Sequence, residues 1–150
     1  MRSVRLLSGL GIAACCLAQT IDVGTGAPNE AIRQRFLQAF FRNNFYTLVV
    51  LPPLTPVQPF GGTGLIQIFR GVGSSTERLA IVKPNTSTAY PPAQGEEGTV
   101  PIDTFQVLAP MYAYYTSEQL GPGVVGFPTM DTSICSSATL GACQYQIFDK

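Results

Sequence analysis

Few residues in this chain are equipped for chemistry. There is no His among the 150 residues. Ser-His-Asp and Cys-His catalysis, His general-base chemistry and His-containing metal sites are therefore excluded within it. Carboxylates remain. Two of them suffice for glycoside hydrolysis when correctly spaced, and Asp103 with Asp131, or Asp131 with Asp149, are the available pairs. Nothing in the sequence sets their separation. Glu96-Glu97 reads as a solvated charge pair, because a calcium site wants more carboxylates. Cys135 and Cys143 supply only half of a tetrahedral zinc shell. No metal or cofactor is expected. Gly61-Gly62-Thr63-Gly64 is a turn and not a phosphate loop, since no Lys-Ser/Thr follows it. Tyr112, Tyr114 and Tyr115 form an aromatic cluster. Such rings either stack on a ligand or lie in the core with a hydroxyl reaching the surface.

The first twenty residues belong to targeting. Arg2 and Arg5 precede an uncharged, mostly apolar run from Leu6 to Ala18. A short positive region, an apolar run of that length and a small residue at its end describe a signal peptide over 1–18. The run is too short for a spanning helix, which needs about 20 apolar residues. Ile12-Ala13-Ala14-Cys15 also resembles the bacterial lipobox, with Ile in place of the usual Leu. On that reading Cys15 is lipidated and anchors the protein to a membrane. Both readings take the chain out of the cytoplasm. There, Cys135 and Cys143, eight positions apart in a loop rich in small residues, are expected to form a disulfide.

Composition narrows the partners. Charged residues are 12%, against a usual share of about 25%. The nine Lys+Arg are scattered among nine Asp+Glu, which makes no basic patch and argues against nucleic acid. At 45% hydrophobic the chain is not a disordered tail.

These residues need elements to position them. After an N-terminal lead over 19–27, Pro28 suits a helix start. Ile32, Phe36, Leu37, Phe40 and Phe41 then follow at helical spacing, and Asn43-Asn44 marks the end. Phe45 to Leu51 reads as a strand or extended segment. Pro52, Pro53, Pro56 and Pro59 bar the next stretch from a central strand. Leu65–Phe69 and Arg78–Lys83 read as a hairpin about a Gly71–Thr76 turn. A Pro- and Gly-rich loop over 84–101 is expected to be mobile, and Asn85-Thr86-Ser87 matches the glycosylation sequon. Phe105 to Leu108 looks extended, and Pro110 starts a second helix that ends near Gly121.

The same order occurs twice. Residues 32–71 and 111–150 are equally long and can be laid over each other, each with a helix, a Val-Val pair before Pro, a polar loop and a Gln-Ile-Phe tripeptide. Gln67-Ile68-Phe69 falls on Gln146-Ile147-Phe148. This predicts an α+β fold of two helix-plus-strand repeat units, over 28–83 and 102–150, packed on a small antiparallel sheet.

The second copy carries a family resemblance. Leu120-Gly121-Pro122-Gly123-Val124-Val125-Gly126-Phe127-Pro128-Thr129-Met130-Asp131 resembles the LGFP repeat of bacterial envelope proteins. That repeat has a short helix, a Gly-rich turn, a Gly-aromatic-Pro-Thr-x-Asp core and a later strand ending in Phe. Gln144-Tyr145-Gln146-Ile147-Phe148 occupies the strand. The resemblance covers about 107–150 and is vague over 32–71. Val125 stands where the family has the Leu that names it. Gly126, Phe127, Pro128, Thr129 and Asp131 carry the motif, and each also suits a structural role in a turn. The resemblance implies attachment to the cell wall. The expected function is thus a secreted, non-catalytic envelope module that binds cell-wall polysaccharide or an envelope protein. The alternatives are an adapter domain at the N-terminus of a larger secreted protein, since the final strand lacks a partner, and a carboxylate-dependent glycan hydrolase.

Overall fold

A computed structural model describes residues 22–86, 102–117, 120–137 and 141–150. The 1–18 segment read as a signal peptide, Cys15 within it and most of the 84–101 loop lie outside the described residues.

The protein is a small α+β fold. Helix α1 spans Glu30–Phe41. Asn29 starts it by accepting the Ile32 N–H at 3.0 Å through its side chain, which satisfies a donor the first turn leaves open. Ile32, Phe36, Ala39 and Phe40 form the buried face. After the helix, Asn43 and Asn44 adopt left-handed backbone at φ 53° and 57°, a conformation Asn tolerates better than most residues. They fold Arg42–Thr47 into tight helical turns. The expected strand over 45–51 is therefore reduced to β1, Val49–Val50. Turning back buries Phe45, whose ring meets Phe40 at 6.3 Å and Phe69 at 5.6 Å.

The central sheet is antiparallel. Strand β3 (Gly64–Gly71) pairs along its length with β4 (Arg78–Lys83), and β4 pairs with β5 (Phe105–Val107). The other side of β3 is shared by β1 and β2 (Gln58–Phe60). Between those two runs the Pro-rich segment. There the Leu54 N–H donates to the Ile68 carbonyl at 2.8 Å, and Thr55 Oγ1 accepts the Ile68 N–H at 3.1 Å. The backbone of β3 is thus satisfied across the break.

Both faces of the sheet are covered, which is why β3 and β4 are apolar nearly throughout. Leu65, Phe69, Leu79 and Ile81 pack under α1 with Phe45 and Leu108. Ile66, Ala80, Val82 and Val107 pack on the opposite face with Tyr115, Phe127 and Phe148. Tyr115 comes from α2 (Ala109–Tyr115), which is shorter than the sequence predicts. Ser117 closes it: its N–H and hydroxyl both turn back to the Tyr114 carbonyl, at 3.1 and 2.7 Å, taking the acceptor a further turn would use.

A second, two-stranded sheet follows. Strands β6 (Ser133–Ser137) and β7 (Gly141–Tyr145) form a hairpin in which Cys135 lies directly opposite Cys143. The cysteines are therefore bridged across a ladder and not within a loop. The two Gln-Ile-Phe stretches differ as well. Gln67–Phe69 lies inside β3, whereas Gln146–Phe148 follows β7 outside any strand, and its one ladder contact is the isolated bridge of Phe148 to Pro128. Val49-Val50 is a strand, while Val124-Val125 lies in a wide turn over Gly121–Val125.

Candidate functional site

The motif residues resolve into a locked corner. Gly126 has φ 81°, and a Cβ there would run into the Asp149 carboxylate. That carboxylate accepts the Phe127 N–H at 2.8 Å. Phe127 is buried and lies across the start of β3, where a Cβ at Gly64 would collide with its ring. The Gly61–Gly64 turn is thus the seat of Phe127. Thr129 donates twice to the Ile147 carbonyl, through N–H at 2.9 Å and hydroxyl at 3.2 Å.

Asp131 does the most. It accepts from Arg42 Nε and Nη2, both at 2.7 Å, and from Asn43 Nδ2 at 2.9 Å. It also accepts the outward N–H of Gln106 at 2.8 Å. The bidentate, partly buried pair ties the end of α1 to β5. Gln106 completes the joint by donating from Nε2 to the Ala39 and Arg42 carbonyls, each at 2.6 Å. These are acceptors that the helix terminus leaves open. Gln146 donates to the Gln106 and Met130 carbonyls at 3.0 and 2.9 Å, and Thr132 meets its Oε1 at 2.9 Å.

The other carboxylates are held as firmly. Asp103 accepts from Lys83 Nζ at 2.9 Å and from the Thr104 hydroxyl at 2.9 Å. Asp103, Asp131 and Asp149 each sit on a different set of partners. Neither pair weighed for glycoside hydrolysis meets on a common partner. Among the described residues no group of three or more His, Cys, Asp or Glu gathers as a metal shell, and no helix is long and apolar enough to cross a membrane.

The three tyrosines have separate fates. Tyr115 is buried, and its hydroxyl donates to the Gly126 carbonyl at 3.1 Å. Burial pushes its pKa well above the usual phenol range, and the Asp149 carboxylate adds to that. It is a core residue, so it is not part of a stacking platform. Tyr112 packs half-buried against the same core, and burial raises its pKa against the opposing Arg78 charge. Only Tyr114 is open, at 64% exposure.

Tyr114 faces a hollow of about 440 Å³ with Pro110, Met111, Ile134, Cys143 and Gln144. A second hollow of about 230 Å³ shares Pro110, Ile134 and Gln144 with it and continues past Leu48, Val72 and Glu77. Together they form an apolar groove between α2, the β6–β7 hairpin and the β3–β4 turn. Glu77 is its one charged lining residue among those described. The wall residue Gln144 has its Oε1 buried without a hydrogen-bond partner among the described residues.

Sequence reasoning picked out Tyr114 and the cysteines but missed the groove, because Leu48, Val72 and Ile134 are far apart in the chain and fit no pattern. It also missed Arg42, Gln106 and Thr132. The one available signal was the repeated Gln of the tripeptide, which marks Gln67 and Gln146. Comparison of the chain with family models, with curated proteins and with solved structures finds no match, so the resemblance to the LGFP repeat gains no support from them.

Proposed function

We propose that this protein is a secreted, non-catalytic envelope module that attaches to cell-wall polysaccharide through the groove beside Tyr114. The observation that carries the reading is the open Tyr114 ring on the wall of an apolar hollow, an arrangement suited to stacking on a sugar face. The occupied carboxylates support a binding role over hydrolysis. Asp131 is taken by Arg42, Asp103 by Lys83 and Asp149 by the Phe127 N–H. The Cys135–Cys143 bridge supports export, since such bonds persist in oxidising compartments.

A second reading has its own support. The groove is lined mainly by Leu, Val, Ile, Met and Pro side chains, and an envelope protein offering an apolar segment would fill it better than a glycan. Co-sedimentation with purified peptidoglycan at low salt separates the two. Retention that falls by about tenfold in Tyr114→Ala, the scale of one aromatic stacking contact, is expected from glycan binding. No retention of the parent protein would sink the glycan version.

A further inference from the structure

We propose that the β6–β7 hairpin is a self-association surface, pairing edge to edge with the hairpin of a second copy of this chain. The contrast that carries this lies within the molecule. Exposed strand edges invite pairing with another chain, and folded proteins ordinarily cover or block them.

Both edges of the central sheet are blocked. At β5 the Gln106 N–H goes to Asp131 and the Gln106 carbonyl accepts the Thr132 N–H at 2.9 Å, so residues 131–132 stand where another strand would. At the opposite edge β2 contains Pro59, β1 has two residues, and Pro52, Pro53 and Pro56 fill the gap. The neighbouring Val57 N–H is taken by the Thr25 carbonyl at 2.7 Å.

Among the described residues the hairpin has none of these devices. No hydrogen bond links 133–136 or 143–145 to the rest of the described residues beyond their own ladder. No Pro and no charged residue falls anywhere in 133–145. Ile134 is 71% exposed, and Tyr145 is also exposed. A two-stranded sheet is marginal alone and gains from further strands.

The neutrality of the edge selects the occupant. A charged strand would find no counter-charge on it, whereas a second copy meets no like-charge repulsion. Two β6 strands related by a two-fold axis at Cys135 would set Ile134 opposite Ser136 of the other copy, and both positions are exposed. The result is a four-stranded sheet, a self-complementary contact that closes at two copies.

Sedimentation equilibrium across a concentration series tests this, read together with hydrogen exchange on the same samples. A concentration-dependent dimer is expected, with β6 amides gaining protection as it forms. Ile134→Lys/Ser136→Lys sets like charges opposite one another and should weaken association by about tenfold or more, while the melting temperature stays that of the parent monomer. Should the double variant fail to fold, the parent protection pattern still decides. A parent protein that stays monomeric, or a dimer that forms without protecting β6, overturns the proposal.

Discussion

The same tripeptide occupies two settings in this protein. Gln67-Ile68-Phe69 runs through the middle of β3, while Gln146-Ile147-Phe148 lies outside any strand. In both, the Gln amide clamps backbone. Gln67 accepts the Gly24 N–H at 2.9 Å and donates to the Asp22 and Thr55 carbonyls. Gln146 binds the Gln106 and Met130 carbonyls and Thr132. In both, the Phe turns inward, Phe69 completely and Phe148 in part. Local sequence thus sets a polar clamp beside an apolar anchor. Whether the stretch is a strand depends on what lies alongside: β4 beside the first, and a lone bridge to Pro128 beside the second.

The largest difference between the settings should appear at the Phe. Phe69 stacks on Phe40 at 5.8 Å and meets Phe45 edge-on. Phe69→Ala is expected to cost about 3–5 kcal/mol, the range for emptying a buried aromatic site. Phe148 has Tyr115 at 5.0 Å but keeps an open side, so Phe148→Ala should cost about 1–2 kcal/mol. Urea denaturation of the two variants gives the comparison, and equal losses would end it.

The Gln pair should follow in size. Gln67 is fully buried, so Gln67→Ala strands a backbone N–H and two carbonyls away from water at about 2–3 kcal/mol. Gln146 is half-buried. Water can replace it, and Gln146→Ala should cost about 1 kcal/mol. Thermal melts of both variants would show the asymmetry, which disappears if the two clamps are equivalent.

The smallest effect belongs to Tyr115, which has no buried phenol opposite it in the first stretch. It keeps its proton in the folded protein to a higher pH than in the unfolded chain. That stabilisation is fully present below about pH 10, where the unfolded phenol titrates, and is lost as pH rises beyond it. Tyr115→Phe should cost about 1 kcal/mol for the bond to Gly126 and should flatten the alkaline fall in stability. A melting profile with unchanged alkaline slope would remove Tyr115 as its source.

Much of the architecture was legible in order. The buried face of α1 follows from Ile32, Phe36 and Phe40, its end from two Asn residues, and the β3–β4 hairpin from two apolar runs about a Gly-rich turn. The errors share a cause. Phe45 to Leu51 looks extended by composition, but Asn43 and Asn44 turn the chain so that Phe45 reaches the core. The cysteines look like loop residues because Ser and Ala surround them, yet the ladder places them opposite one another. The candidate site was the least legible part. Tyr114 was indistinguishable from Tyr112 and Tyr115 until the packing of α2 exposed one ring and buried another.

The sequence by itself determined the α+β class, the main helix, the central hairpin and the pairing of Cys135 with Cys143, because each rests on periodicity, turn residues or short separation in the chain. Only the tertiary structure decided that Asp131 closes on Arg42, that Phe127 sits over Gly64, and that Leu48, Val72, Tyr114 and Ile134 share one groove. Those contacts join residues tens of positions apart, and nothing local to either partner encodes the meeting. The physical reason is that periodicity fixes which face of an element is apolar, whereas packing fixes which other element that face meets.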